Sequence, residues 1–183
     1  MDYRSNNITG FTIVDLMITL TITAILASLA APSFTDIIKN NRLATQYNEL
    51  LTHITLARSE AVKRGTDIKI LNNNGTSSGT WDAGWKVYED KDKDNTVDSG
   101  EEIRVSNSIP ANLSIRFSNN GQITYRPNGL GVTAGTFTIC DDRTNKEAKA
   151  LIINRTGRIR VATDSNGDNI VDKGYGASNV SCP

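Results

Sequence analysis

The sequence is poor in the residues that carry chemistry. Among 183 residues it has one histidine, His53, and two cysteines, Cys140 and Cys182. No Ser/His/Asp spacing occurs, nor a glycine-rich loop of the P-loop kind, so neither nucleophilic catalysis nor nucleotide cradling is indicated. The "GLG" at Gly129–Gly131 follows Pro127-Asn128 and reads as a loop. The cysteines are not a close-spaced pair and His53 lies far from both, which argues against a zinc site. Nothing points to a cofactor or to an enzyme. The formal net charge is +0, so no diffuse field draws a charged partner, and any polyanion must meet a local patch.

The apolar residues, 38% of the chain, are crowded into the N-terminal third. Thr, Asn, Gly and Asp dominate the remaining two thirds. This length suits one domain plus an appendage. A Cys140–Cys182 disulfide is the better reading of the cysteines if the body lies outside the cytoplasm. It closes a loop of roughly 40 residues and pins the C-terminal tail, worth about 4 kcal/mol in the chain-entropy model.

The one long hydrophobic run is "FTIVDLMITLTITAILASLAA", Phe11 to Ala31. Its length of about 20 residues lets a helix cross a hydrocarbon core. A secretory signal fits poorly, because Arg4 is the only basic residue ahead and bulky Phe11 follows Gly10. A plain anchor leaves Asp15 unexplained, since a carboxylate at membrane depth is costly and implies a partner.

"GFTIVDLMITL", Gly10 to Leu20, resembles the class III signal of type IV prepilins. The resemblance implies a leader at residues 1–10, cut by the prepilin peptidase between Gly10 and Phe11. It implies N-methylation of Phe11 and a helix-bending proline, Pro32. It also gives Asp15 a partner: the N-terminal ammonium of a neighbouring subunit in a filament. The family usually has Glu there; Asp keeps the charge with one methylene less of reach.

Beyond Pro32 the pattern stays helical. Leu43, Tyr47, Leu50, Ile54, Ala57 and Ala61 recur at three- and four-residue steps, which makes one core-facing stripe. Lys63, Arg64 and Gly65 predict the helix end. His53 is one position off the stripe and reads as a partly exposed helix residue. "NNRLATQYNELLTHITLARSEAVKRG", Asn40 to Gly65, resembles the helix of the FimT/GspH family of minor pilins and pseudopilins.

After Gly65 the period becomes two. Strands are predicted at Asp67–Leu71, Trp85–Tyr88, Ile103–Ser106, Ser114–Phe117, Gln122–Tyr125, Thr136–Cys140, Ala150–Ile153 and Arg158–Ala162, separated by turn clusters such as "NNNGTSSG" and "RPNGLG". The expected fold is α+β and type IV pilin-like: a long N-terminal helix packed on an antiparallel β-sheet head. Residues 11–35 form the transmembrane and filament-core half of the helix. Residues 36–183 form a periplasmic head, helical to about 65 and β-rich thereafter.

Two acidic stretches share one pattern, "DKDKDNTVDSG" (Asp90–Gly100) and "DSNGDNIVDKG" (Asp164–Gly174), and Glu101 is twelfth from Asp90. These are the ligand positions of a calcium loop. Against that, the sixth residue is Asn95 or Asn169 rather than Gly, the flanks read as strands, and Tyr175 ends the second loop. The alternative is a pair of Asx turns that cap their own backbone.

The remaining stretch with chemistry is "ALIINRTGRIRVAT", Ala150 to Thr163. In a strand, Arg158 and Arg160 point to one face and Ile159 and Val161 to the other. Arg155 sits in the turn, and no acid lies between Asn154 and Thr163. Lys149, Lys146 and Arg143 extend the basic patch. One reading is a solvated edge strand whose charges block sheet pairing. The other comes from resemblance: FimT proteins of naturally competent bacteria carry a C-terminal Gly-Arg-x-Arg implicated in binding DNA, matched here by Gly157, Arg158, Ile159 and Arg160. Arginine bonds phosphate bidentately, and a few backbone contacts give weak, sequence-independent, salt-sensitive binding.

The resemblances imply an inner-membrane, single-pass minor pilin that joins a type IV pilus at the cell surface. Its implied partners are major and minor pilins and double-stranded DNA taken up in natural transformation. The rivals are a purely structural minor pilin that primes assembly and an H-type pseudopilin of type II secretion.

Overall fold

The computed structural model describes residues 10–73, 79–119, 121–131, 133–174 and 178–182, leaving aside the side chains of 30–33. Residues 1–9 of the expected leader, most of the "NNNGTSSG" turn and Tyr175 lie outside the described residues. The chain divides into two compact units, Met1–Lys39 and Asn40–Pro183, with one helix, α1 (Ile13–Arg64), contributing to both.

The first unit is a helix with no cover of its own. Phe11, Leu16, Leu20, Ile25 and Leu29 are each more than half exposed, all round the helix. Such a surface needs lipid or other chains around it. The helix is long and apolar enough to cross a membrane. Its hydroxyls are turned inward on the backbone: Thr21 donates to the Met17 carbonyl at 2.8 Å and Thr23 to Thr19 at 2.7 Å. A hydroxyl so satisfied tolerates an apolar surrounding. At the helix start, the Thr12 amide (3.2 Å) and hydroxyl (2.6 Å) donate to Asp15 Oδ2, and the Asp15 amide donates to Thr12 Oγ1 at 3.2 Å. This is a capping box, in which two orphan donors of the first turn are satisfied reciprocally. Asp15 therefore has a local role that its sequence context did not assign.

In the second unit the helical stripe is buried as the periodicity predicts. Leu50, Ile54, Ala57 and Ala61 have no exposed surface, and Leu43 and Tyr47 have little. The helix stops at Gly65, whose φ of 69° is left-handed and whose amide donates to the Ala61 carbonyl at 3.0 Å. That single bond is the αL cap, and glycine adopts it without strain. Arg64 then bonds Glu60 (2.5 Å) and Glu89 (3.0 Å), fastening the helix end to the sheet.

All eight expected strands form, each boundary within one residue of the prediction. β1 (Ile68–Asn72), β2 (Trp85–Glu89), β3 (Glu102–Ser106) and β5 (Ile123–Tyr125) make one antiparallel sheet in the order β3-β2-β1-β5. β4 (Leu113–Phe117), β6 (Gly135–Asp141), β7 (Lys149–Ile153) and β8 (Ile159–Val161) make the other, in the order β4-β6-β7-β8. The alternation of each strand places Ile68 and Ile70, Ile115 and Phe117, and Phe137 and Ile139 in one core with the helical stripe. Trp81, from the β1–β2 connection, stands edge-on to Phe137 at 4.9 Å between ring centres. Its amide donates to Ile115 of the other sheet at 2.9 Å, and Asp82 Oδ1 accepts the Ile115 amide at 2.7 Å, so this connection joins the two sheets.

Cys140 and Cys182 form a disulfide, closing a separation of 42 residues. It draws the tail over a small second core of Cys140, Ala148, Ala150, Ala162 and Val180. Removing it with a Cys140→Ser, Cys182→Ser double variant is expected to lower unfolding stability by about 4 kcal/mol, the loop-closure entropy of a loop this long. Denaturant titration with and without reductant checks this; a parent that loses nothing on reduction contradicts it.

His53 is half-buried, and its Nδ1 accepts the indole N–H of Trp85 at 2.9 Å. Burial holds its pKa below the ordinary value, with Arg104 adding to the effect and Glu49 opposing it. A folded-state pKa below the unfolded one means the unfolded chain binds protons first. The contribution is therefore complete above the unfolded value of about 6.5 and lost as pH falls through the folded value. Protonated Nδ1 can no longer accept from Trp85. Stability measured between pH 8 and pH 5 should fall more in the parent than in His53→Gln; parallel profiles would refute the assignment.

Candidate nucleic-acid interface

The β7–β8 hairpin is built by its turn. The Gly157 amide donates to the Asn154 carbonyl at 2.9 Å, and the Asn154 amide donates to the Arg158 carbonyl at 3.1 Å. Asn154 Oδ1 accepts from the Arg158 amide (3.0 Å) and the Thr156 hydroxyl (2.6 Å). The side chain thus fixes the turn from within. Gly157 has φ 72°, and a Cβ placed there would collide with the Gly129 carbonyl oxygen. No side chain fits without moving backbone. The tip is held from outside by this contact with the loop after β5.

Arg155 and Arg158 are exposed at this tip. Arg160 is half-buried. The two arginines of the Gly-Arg-x-Arg stretch are thus not equivalent. The cause lies in the register: Arg160 stands opposite Ile152, and cross-strand partners share a face. Ile152 packs against the small core of Cys140, Ala148, Ala150, Ala162 and Val180, so Arg160 lies on the face that this second core covers. The expectation for the other face holds for Ile159, which packs on the main core, but not for Val161, which is 52% exposed. At the third residue of an edge strand the core has ended.

Val161 instead borders a groove of about 570 Å³ between the helix and β7, lined also by Tyr47, Lys146 and Lys149. Lys149 Nζ lies 5.4 Å above the Tyr47 ring, a cation–π distance. Lys146 is exposed. These two lysines stand at the far end of β7 from the hairpin tip, roughly 13 Å away at 3.3 Å per residue. Arg143 is differently placed. It bonds Asp141 Oδ2 at 2.5 Å, Asn40 Oδ1 at 2.9 Å and approaches Glu147 at 3.8 Å. Its charge is tied to carboxylates and its main visible role is to hold the β6–β7 connection.

The acidic loops cap their own backbone. Asp94 Oδ1 accepts the Thr96 amide at 2.7 Å, and Asp164 Oδ1 accepts the Gly167 amide at 2.7 Å. Asn95 and Asn169 adopt φ of 65° and 66°, the left-handed conformation at the sixth position that glycine takes in a calcium loop. Carboxylate oxygens of Asp90, Asp92 and Asp94 lie within 4.8 Å of one another. The Lys69 ammonium bonds Asp90 Oδ2, and Asn95 Oδ1 at 2.7 Å. A cation from β1 therefore already serves the innermost acid. Burial alone would raise the Asp90 pKa, but Lys69 and the Asn95 amide outweigh it and hold the carboxyl below its usual range.

The family model for type II transport protein GspH matches residues 46–157. The fold is shared with the type IV minor pilin FimU of Pseudomonas aeruginosa, at 25% identity and TM-score 0.55 over 68% of this chain and 91% of that one. The minor pseudopilin EpsH of the Vibrio cholerae type 2 secretion system matches at 12% identity and TM-score 0.52, over 68% and 99%. No curated protein matches the sequence. The family match ends at Gly157, so Arg158 and Arg160 lie beyond it.

The need for glycine at 157 is testable. Gly157→Ala is expected to cost about 2–4 kcal/mol, from the left-handed backbone together with the forced shift of a neighbouring carbonyl. Gly167 also has positive φ, 84°, but open space around it. Gly167→Ala should therefore cost only about 1 kcal/mol. Equal losses for the two variants in denaturant unfolding would show that the approach of Gly129 is unimportant.

Proposed function

The chain belongs to the GspH family, and from that premise we propose that it is a minor type IV pilin whose head binds double-stranded DNA for uptake in natural transformation. Prepilin peptidase cuts after Gly10 and Phe11 is methylated. The apolar helix holds the subunit in the inner membrane with its head in the periplasm, until it joins major and minor pilins in the pilus. Thr12 and Asp15 both lie past the cut, so the capping box survives processing. In the filament the Asp15 carboxylate also meets the ammonium of a neighbouring Phe11.

The observation that carries the DNA reading is the hairpin tip. Arg155 and Arg158 project from a turn locked by Asn154 and by the close approach of Gly157 to Gly129. No acid lies between Asn154 and Thr163 to neutralise them. With a net charge of +0, the patch must act at close range. Phosphate is the group that a forked, always-charged guanidinium matches best. Arg160 continues the track along β8, while Lys149 and Lys146, which line the groove beside Tyr47 on the other face of the sheet, add positive charge nearby. Arg143, paired with Asp141 and Glu147, serves the β6–β7 connection instead.

A pseudopilin role in type II secretion is the second reading, favoured by the match to EpsH over 99% of that chain. It requires no DNA binding, which makes one measurement decisive. The full-length mature protein in neutral detergent should bind duplex DNA of arbitrary sequence with a dissociation constant on the order of 10⁻⁴–10⁻⁶ M. Arg158→Gln with Arg160→Gln should remove most of that binding, and Arg158→Gln alone should remove more than Arg160→Gln alone. The slope of log affinity against log salt should fall by about 0.9 for each phosphate no longer neutralised. A folded double variant that binds like the parent at every salt concentration returns the hairpin to a charged edge.

A further inference from the structure

The geometry points to a second element of the DNA-binding face, the loop Arg126–Gly131, with Arg126 as a further phosphate-contacting residue. This rests on the DNA reading of the hairpin and extends it to a segment some 30 residues earlier in the chain.

The loop and the hairpin tip meet backbone to backbone. The Gly129 carbonyl oxygen occupies the space that a Cβ on Gly157 would need. A Cβ on Gly131 would lie 3.3 Å from the Gly157 Cα and 3.4 Å from the Asn154 carbonyl oxygen. Two turns this close form one surface. Small residues on both sides permit the approach, as glycine does wherever backbones pack together.

Arg126 is held at the start of this loop. Its carbonyl accepts the Gly129 amide at 2.8 Å, and its amide donates to the Leu130 carbonyl at 3.0 Å. The first bond closes a β-turn, which keeps the Cα atoms of 126 and 129 within about 7 Å. Gly129 in turn touches Gly157, the neighbour of Arg158. The Arg126 side chain is exposed, and the segment "RPNGLG" contains no acid. Among the described residues no carboxylate pairs with it. Pro127 fixes the backbone at the second turn position. From the helix, Arg58 Nε donates to the Gly129 carbonyl at 3.0 Å, so Arg58 acts as a positioning residue for the loop. Three unneutralised guanidiniums, those of Arg126, Arg155 and Arg158, thus stand on two turns that share a joint. A polyanion laid across the tip meets both turns, and phosphates of either strand can be taken.

The test uses the full-length mature protein in neutral detergent and a labelled duplex of arbitrary sequence, titrated at several salt concentrations. Arg126→Gln is compared with Arg104→Gln, which removes the same charge from β3, at the opposite edge of the sheet that carries the loop. Arg126→Gln is expected to weaken binding and lower the salt slope by about 0.9, while Arg104→Gln leaves the slope unchanged. Arg126→Lys should keep most of the affinity, which separates loss of charge from loss of fold. Equal effects of the Arg126 and Arg104 glutamine variants overturn the proposal, because only net charge would then matter. An unchanged slope in Arg126→Gln, with binding abolished in the Arg158 and Arg160 double variant, overturns it while the hairpin stands. A parent protein without affinity for duplex DNA at any salt overturns both.

Discussion

The head depends on one constraint, that a single stripe of α1 be covered. Leu43, Tyr47, Leu50, Ile54, Ala57 and Ala61 follow one another at helical steps and leave almost no surface to water. Ala57 and Ala61 are small and fully buried, and so complete the stripe at its C-terminal end. Above them the chain leaves the helix at Gly65 and enters β1 within three residues. Because β1 lies between β2 and β5, its register on the stripe sets both neighbours. The loop after β5 inherits that register, and through Gly129 so does the hairpin tip. The position of the arginines is therefore a consequence of helix packing, several contacts removed.

Whatever has a local period was legible in the sequence. The stripe and the eight strands could be read because burial imposes steps of three and four in a helix and of two in a strand. The capping box at Thr12 and Asp15 is equally local, yet the cost of a carboxylate at membrane depth points to a distant partner first. Non-local contacts leave no such trace. Lys69 and Asp90 are 21 residues apart, and nothing near either shows that an ammonium serves the acid. Arg143 reads as one more member of the basic patch until Asn40, 103 residues away, is seen beside it. The glycine of Gly-Arg-x-Arg looks like an ordinary turn residue. Only the approach of Gly129 shows that it is a packing surface.

The two units solve the problem of apolar surface in opposite ways. The head covers its own and adds a disulfide to secure the last residues of the tail. The first unit covers none of its own, and Thr19, Thr21, Thr23 and Ser28 donate their hydroxyls to carbonyls of the preceding turn. Such a helix is indifferent to whether lipid or other helices surround it. That indifference is what a subunit requires if it waits in a bilayer and later packs into a filament.

Weak binding places its own demand on the interface. A site with few phosphate contacts cannot also bear the entropy of ordering a mobile loop, about 0.5–1.5 kcal/mol for each side chain immobilised. Under the DNA reading proposed above, the backbone beneath the arginines is fixed in advance. Asn154 closes the turn, Gly157 rests against Gly129, and Arg58 holds that carbonyl from the helix. Only side-chain freedom remains to be lost. A rigid tip that carries mobile guanidiniums can adjust to phosphates at varied spacing without reading a base. If the proposed contact holds, the locked backbone and a lack of sequence preference become one property, because the turn supplies position and the arginine stems supply tolerance.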